Sequence, residues 1–179
     1  MQKNIKTQLG RSMVEMLGVL AIVGILTVGG FGLITKATTS HKVNMVLDEI
    51  SDLAYKVRII ARDYESTGSG EQNINAYVYN GKAYPDTLEY SESNGFEDEY
   101  DVTYNIAYQK VSGALFTITA SGLSTEMCME ILGKNWGSIS TSGFMGMSYG
   151  SETALYNQMG IGDITEKCGD ENTISLSFK

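Results

Sequence analysis

The stretch that decides the fold is QLGRSMVEMLGVLAIVGILTVGG, residues 8–30, an apolar run interrupted by a single acid, Glu15. From Met13 to Thr35 there are about 23 residues, and at 1.5 Å per residue a helix of this length crosses a hydrocarbon core of about 30 Å. A carboxylate in hydrocarbon costs about 3 kcal/mol on insertion scales, so Glu15 requires a partner. We therefore predict a membrane-spanning helix that carries one functional acid.

The residues on either side of this run indicate its orientation and its length. The leader before it contains lysine and no acid, which favours a cytoplasmic N-terminus. After Lys36, apolar residues recur at spacings of three and four as far as Tyr64, with charged residues between them. A cleaved secretory signal has a shorter apolar region followed by a small-residue site, whereas here the helical pattern continues. We predict one helix of about fifty residues, from Ser12 to near Glu65.

The remainder of the chain is polar and acidic, with the length of one globular domain. Four of the 13 Lys and Arg residues but only one of the 21 acids precede residue 37, so residues 37–179 carry a net charge of about −11. Recognition of phosphates needs a basic stripe, which this composition does not provide. The sequence therefore excludes nucleic acid as a primary partner.

Alternating residues beyond the helix predict an antiparallel sheet with one face covered by the amphipathic half of the helix. INAYVY, residues 74–79, precedes Asn80-Gly81 and predicts a hairpin with a two-residue turn. Residues 102–108 and 114–120 alternate apolar and polar side chains, which predicts a second antiparallel pair. The fold class is therefore α+β.

Three further elements are predicted toward the C-terminus. Ser124 precedes TEMCMEIL, residues 125–132, in the manner of a helix N-cap. ETALYNQMG, residues 152–160, has the pattern of a second short helix. Apolar residues alternate over 174–178, as in a last strand.

The two cysteines, Cys128 and Cys168, have more than one interpretation. In an exported domain they close a disulfide that contributes about 3 to 4 kcal/mol. The alternative is two unpaired buried thiols. A zinc site is disfavoured because the single histidine, His41, is remote and two cysteines do not complete a four-ligand shell.

Two patterns suggest ligand binding or catalysis and are better explained otherwise. The acidic stretch SESNGFEDEYD, residues 91–101, lacks the spacing of the best-known calcium loop, so we expect a solvated acidic loop. Residues 146–150, GMSYG, match the nucleophile elbow of hydrolases, but that motif needs a downstream histidine, and His41 lies upstream. The sequence thus predicts no enzyme, no metal site and no cofactor.

The N-terminus resembles that of type IV prepilins and of the related type II secretion pseudopilins. Proteins of this family have a short basic leader ending in glycine, a cleavage point directly after it, a glutamate at the fifth mature position and about twenty apolar residues. Gly10 matches the leader glycine and Glu15 matches the glutamate. The resemblance covers roughly the first 35 residues and implies cleavage between Gly10 and Arg11 by a prepilin peptidase.

The resemblance also implies a partner for Glu15. In this family the glutamate neutralises the N-terminal amine of a neighbouring subunit in the filament, and here that amine would belong to Arg11. The first mature residue of the family is usually apolar and N-methylated, so Arg11 is a departure that puts its methylation in doubt. The arginine side chain reaches either the headgroups or, at i, i+4, Glu15 of its own helix.

A type IV pilin-like organisation follows from the resemblance. It implies a long N-terminal helix packed on an antiparallel sheet and a C-terminal disulfide loop that pairs Cys128 with Cys168. The short helix that carries Cys128, followed shortly by Trp136, resembles the corresponding region of the type IVb subgroup. The implied segments are a cleaved leader at 1–10, a transmembrane and filament-core helix at 11–36, its amphipathic continuation at 37–65 and a globular head at 66–179.

The function implied is that of a structural subunit that polymerises into a surface filament. The implied partners are copies of itself, the prepilin peptidase, an inner-membrane platform and an assembly ATPase. The precursor would lie in the inner membrane and the product in an extracellular pilus for adhesion, aggregation, motility or mating. Two alternatives stay open: a minor pilin or pseudopilin, and a singly anchored membrane protein with a binding domain.

Overall fold

The computed structural model describes residues 6–64, 71–108, 116–138, 143–150 and 156–179, with the side chains of 6–12, 26, 28–35 and 138 left out. The chain divides into two compact units, Met1–His41 and Lys42–Lys179. Helix α1 spans Lys6–Ala61. Over the residues with described side chains, no helix is both long enough and apolar enough to cross a membrane. The membrane span expected at 11–36 includes positions outside the described side chains, and it stays a prediction.

The described part of the second unit contains an antiparallel sheet and three short helices besides the end of α1, which confirms the α+β class. The strands run in the order β2-β3-β4-β5-β7-β6, and β1 pairs with one end of β4. Their bounds are β1 Gln72–Asn73, β2 Glu89–Ser91, β3 Gly95–Glu97, β4 Thr103–Tyr108, β5 Phe116–Leu123, β6 Phe144–Tyr149 and β7 Asn172–Phe178. The helices are α2 Asn75–Asn80, α3 Thr125–Gly133 and α4 Ile161–Lys167, with a 3₁₀ turn at Trp136–Ser138.

The central strands follow the alternation of the sequence. Ile106 of β4 lies opposite Ile118 of β5, which in turn lies opposite Leu176 of β7, and all three side chains are fully buried. The predicted antiparallel pair and the predicted last strand are therefore confirmed, whereas the turn expected at 111–113 lies outside the described residues.

The inner face of this sheet belongs to the same hydrophobic core as the last part of α1. The helix contributes residues at spacings of three and four, as an amphipathic helix must when it covers a sheet. Its buried apolar residues are Val43, Val46, Leu47, Ile50, Leu53, Ala54, Val57 and Ala61. The covered face predicted for the sheet is thus present in the second unit.

The first predicted hairpin is wrong, because residues 75–80 form helix α2. The N–H of Ile74 donates a hydrogen bond to the carbonyl of Ile106. The N–H of Val78 donates one to the carbonyl of Ile74, which is the i to i−4 bond of a helix. A two-residue hairpin turn of the expected type needs positive φ at both central positions, but Gly81 has φ of −77°. The Asn-Gly pair therefore ends a helix and does not join two strands.

The helix predicted at 152–160 is also wrong over its described part. Tyr156 exchanges two backbone hydrogen bonds with Met147 of β6, at 2.9 and 2.8 Å. Met159 donates its N–H to the carbonyl of Leu132 at 3.2 Å, and helix α4 begins only at Ile161. These tertiary hydrogen bonds hold the segment in a bridge at Tyr156 and a bend after it, in place of a local helix.

The acidic segment is a hairpin made of β2 and β3, and it is not uniformly solvated. Ser91 accepts a hydrogen bond from the N–H of Asn94 at the turn, and Gly95 follows with φ of +85°. Asp98, just after β3, is only 7% exposed. The expectation of a solvated loop is therefore wrong for this residue.

Candidate functional site

Gly10 and Arg11 lie in the N-terminal part of α1, and their side chains are outside the described part of the chain. Glu15 lies one helical turn beyond Arg11 and is exposed. Residues four apart share one face of a helix, so the backbone is compatible with the expected Arg11–Glu15 contact. That contact, the cleavage point and the methylation remain predictions.

The residues that follow Glu15 present apolar side chains on every side of the helix. Within the described residues 13–25, nine large hydrophobic side chains are 51 to 75% exposed. They are Met13, Val14, Met16, Leu17, Val19, Leu20, Ile22, Val23 and Ile25. A helix that is apolar all round is normally buried by lipid or by other helices, so this surface is suited to assembly.

The disulfide predicted between Cys128 and Cys168 is present. The two Cα atoms are 5.8 Å apart, within the usual range for a bridged pair. Cys128 lies on α3, whose N-cap Ser124 accepts a hydrogen bond from the N–H of Met127 as predicted. Cys168 directly follows α4, so the bond joins the α3 helix to the segment that leads into β7.

A buried asparagine, Asn172, holds the chain beside this disulfide. Its Nδ2 donates to the carbonyls of Leu123 and Gly169, at 2.9 and 2.8 Å, and its Oδ1 accepts from the N–H of Gly169 at 2.8 Å. Trp136, after α3, is 1% exposed and donates from Nε1 to the carbonyl of Ile131. The disulfide region therefore combines a covalent bond with satisfied buried polar groups.

A second polar cluster lies between α1 and the sheet. Glu49 is 3% exposed, and each of its carboxyl oxygens accepts a hydrogen bond from a hydroxyl group. Oε1 accepts from Thr87 at 2.8 Å and Oε2 accepts from Tyr104 at 2.7 Å. Burial raises the pKa of Glu49 above its ordinary value, although these two hydrogen bonds act in the opposite direction. Burial and the neighbouring Glu49 raise the pKa of the Tyr104 phenol.

Asp98 completes this cluster from the connection between β3 and β4. Its Oδ1 accepts from the N–H groups of Tyr100 and Val102, at 2.8 and 2.9 Å. Burial raises the pKa of Asp98, and the nearby acids Asp101 and Glu99 raise it further, against the effect of the backbone hydrogen bonds. Two acids, Glu49 and Asp98, thus meet in the interior of the second unit.

In the described residues, the sequence motifs that resemble catalytic or calcium-binding sites do not form such sites. Residues 146–149 of the GMSYG motif lie on strand β6, so a strand takes the place of the strand-to-helix turn of a nucleophile elbow. His41 is exposed on α1. The described residues contain no group of three or more His, Cys, Asp or Glu side chains placed to hold a metal ion.

Sequence reasoning missed Glu49 and Asp98, although the sequence contained a signal for one of them. Glu49 lies three residues after Val46 and four before Leu53, so it falls on the apolar stripe of α1. A charge at a buried position of a helix requires a polar partner. Asp98 carries no comparable signal, because it lies among five other acids between Glu89 and Asp101.

Comparisons of the chain with protein-family models, with curated proteins and with solved structures found no match.

Proposed function

We propose that this chain is the precursor of a type IV pilin-like subunit that polymerises through its N-terminal helix into a surface filament. Cleavage of the peptide bond between Gly10 and Arg11 removes the leader, residues 1–10. The mature chain then has a filament-core helix followed by an α+β head. The proposal rests on the prepilin-like N-terminus together with the exposed apolar surface of residues 13–25.

The apolar surface carries the proposal because it contains a single acid. In the membrane, lipid covers the large side chains between Met13 and Ile25, and in a filament the corresponding helices of neighbouring subunits replace the lipid. A lone carboxylate is unfavourable in both places. Glu15 therefore suits a helix that must recognise a positive partner when it leaves the lipid.

The α-amine created by cleavage before Arg11 supplies that partner. Two charges that are each costly in an apolar bundle become tolerable as a pair, so Glu15 sets the axial position of each incoming subunit. Arg11 places a second cation at the same end of the helix. If its guanidinium extends to the headgroups, Glu15 is left for the amine of the neighbouring subunit. If it reaches back to Glu15 of its own helix, it competes with that amine.

The head is suited to an oxidising compartment. It contains the Cys128–Cys168 disulfide, and disulfides persist mainly in exported domains. We place the precursor in the inner membrane, where a prepilin peptidase cleaves it and an assembly platform with its ATPase extracts it. The same helix surface contacts different surfaces of its neighbours, and such heterologous packing does not close, so a fibre of any length results.

The experiment that tests this function is the intact mass of the chain in filaments sheared from cells that make it, with and without thiol reduction. We expect a dominant species that begins at Arg11 and gains about two hydrogens on reduction. Any additional methyl group will appear in the same spectrum. The matched control is the membrane fraction of the same cells, in which uncleaved precursor is expected.

Three results would contradict or narrow the proposal. Full-length chain in membranes and none in sheared material would identify a plain membrane anchor. Cleaved chain confined to membranes would identify a minor pilin or pseudopilin. Sheared filaments that contain the chain with its leader attached would refute processing between Gly10 and Arg11.

A further inference from the structure

Two carboxyl groups meet in the interior of the second unit, Lys42–Lys179, where α1 contacts the connection between β3 and β4. Glu49 is 3% exposed and Asp98 is 7% exposed. Asp98 acts on the carboxyl of Glu49 both as a like charge and as a hydrogen-bonding neighbour, and each effect raises the pKa of Glu49. Two carboxylates this close in a buried site repel each other strongly.

The hydrogen-bond donors around the pair leave one carboxyl oxygen without a hydrogen bond. Thr87 and Tyr104 supply one hydroxyl to each oxygen of Glu49, and two backbone N–H groups converge on Oδ1 of Asp98. Oδ2 of Asp98 is buried and meets no donor in the part of the chain that the structure describes. An ionised carboxylate only accepts hydrogen bonds, so a bond between the two acids requires one of them to be protonated.

The acidic groups around the pair favour the protonated form, whereas the cation Lys42 would favour the ionised form. Glu99 and Asp101 lie close enough to Asp98 to raise its pKa. Lys42 of α1 places its Nζ over the ring of Tyr100, 4.5 Å from the centroid. The phenol of Tyr104 stays neutral, because burial and Glu49 raise its pKa.

We propose that Glu49 and Asp98 share one proton, so that the packing of α1 against the sheet is a pH-sensitive contact that weakens as the solution becomes more alkaline. This inference does not depend on the proposed function. The two acids titrate as a coupled pair, and loss of the shared proton leaves two buried negative charges between helix and sheet.

The direction of the pH effect follows from linkage. The pKa values of both acids are raised in the folded chain above their ordinary values of 4.5 and 3.8. The folded chain therefore binds more protons than the unfolded chain at intermediate pH, and stability falls as pH rises. The loss begins near pH 4 to 5 and is complete above the raised pKa of the pair.

The decisive variant is Asp98→Asn. Its amide keeps an oxygen for the N–H groups of Tyr100 and Val102 and supplies a permanent donor to Glu49, so it replaces the shared proton without a change of shape. Thermal unfolding of the purified full chain in a neutral detergent is followed by near-ultraviolet circular dichroism between pH 4.5 and 8. Each unit by which a pKa is raised changes the folding equilibrium tenfold, which corresponds to about 3 °C in Tm for a chain of this size.

We expect the Tm of the wild-type chain to fall with rising pH by about 3 °C for each unit by which the pKa of the pair is raised. The Tm of Asp98→Asn should fall less, because one of the two acids is gone while Glu49 stays buried, and it should be higher than that of the wild type at pH 8. The control is Glu92→Gln, an exposed acid of the β2–β3 turn, which should keep the wild-type profile. If Asp98→Asn does not fold, Glu49→Gln is measured in the same way. Carbon-13 NMR of labelled carboxyl groups in the wild-type chain should then show a titration midpoint for the pair above the ordinary pKa values of 4.5 and 3.8.

Three results would overturn the proposal. The first is a wild-type Tm that does not decrease with pH together with carboxyl resonances that titrate at ordinary values. The second is an Asp98→Asn profile that parallels the wild type. The third is a rise of the wild-type Tm at pH 8 on addition of Ca²⁺ that Asp98→Asn abolishes, because a cation would then hold the two carboxylates together.

Discussion

The phenolic Oη of Tyr104 on β4 donates a 2.7 Å hydrogen bond to Oε2 of Glu49 on α1, and both residues are buried. The two positions are 55 residues apart, so this bond fastens the helix to the middle of the sheet. Hydrogen bonds to a charged or proton-sharing carboxyl are stronger than those between neutral groups.

Replacement of Tyr104 by Phe should lower the free energy of unfolding by about 1 to 3 kcal/mol, because one oxygen of a buried carboxyl loses its donor. Urea unfolding of the full chain measures the change. The control is Tyr77→Phe, whose exposed hydroxyl lies 3.5 Å from the carbonyl of Ile60 and should matter by less than about 0.5 kcal/mol. Equal losses of unfolding free energy in the two variants would show that the buried hydrogen bond stabilises the chain no more than the exposed one.

Gly95 should not tolerate a side chain. Its φ is +85°, and a Cβ there would lie 2.8 Å from the carbonyl oxygen of Tyr104 and from side-chain atoms of Asn75 and Asn105. We expect Gly95→Ala to cost about 2 kcal/mol or more in urea unfolding, because the added carbon meets the backbone of β4. Gly162→Ala is the matched control, since its Cβ meets nothing within 4 Å and a helical alanine is favourable. A Gly95→Ala chain as stable as Gly162→Ala would contradict this packing.

Reduction of the Cys128–Cys168 disulfide should lower the free energy of unfolding by about 4 kcal/mol, because the bond closes a long loop of the unfolded chain. The measurement is the urea midpoint with and without a reductant. A Cys128→Ala, Cys168→Ala chain should be destabilised and should not respond to the reductant. An unchanged midpoint in the reduced wild-type chain would show that the bond contributes little to stability.

Glu15→Ala should reduce the amount of sheared filament by about tenfold or more, because the α-amine of the neighbouring subunit loses its partner in an apolar surrounding. Membrane insertion and leader cleavage should stay intact, as measured by the mass of the chain in the membrane fraction. Asp48→Ala removes an exposed acid from the same helix and should leave filaments unchanged. Normal filaments from the Glu15 variant would refute the assembly role of this residue.

Local patterns predicted the elements that are long or strongly periodic. Residues 103–108, 116–123 and 172–178 are strands because alternating apolar residues can bury only one face of a sheet. Ser124 predicted the start of α3 because its hydroxyl satisfies an N–H group that the helix cannot. The spacing of apolar residues over 43–61 likewise predicted the buried face of α1.

Short elements were not predictable in the same way, because their local preferences are weak. Residues 74–79 alternate like a strand, yet the hydrogen bond from the N–H of Ile74 to Ile106 and the burial of Val78 favour a helical turn. The segment at 156–160 makes backbone hydrogen bonds to Met147 of β6 and to Leu132 of α3, which lie outside the window that a local helix pattern covers. Tertiary hydrogen bonds outweigh propensities of a few tenths of a kcal/mol per residue.

The sequence by itself determined the α+β class, the apolar N-terminal segment with its single acid and the inward face of the helix. The resemblance to the pilin family already implied the Cys128–Cys168 pair, which the structure contains. Only the tertiary structure decided that Glu49 meets Asp98 and Tyr104. The physical reason is that periodicity specifies which side of an element is buried, whereas the residue that lies opposite depends on how distant elements pack and on strand register.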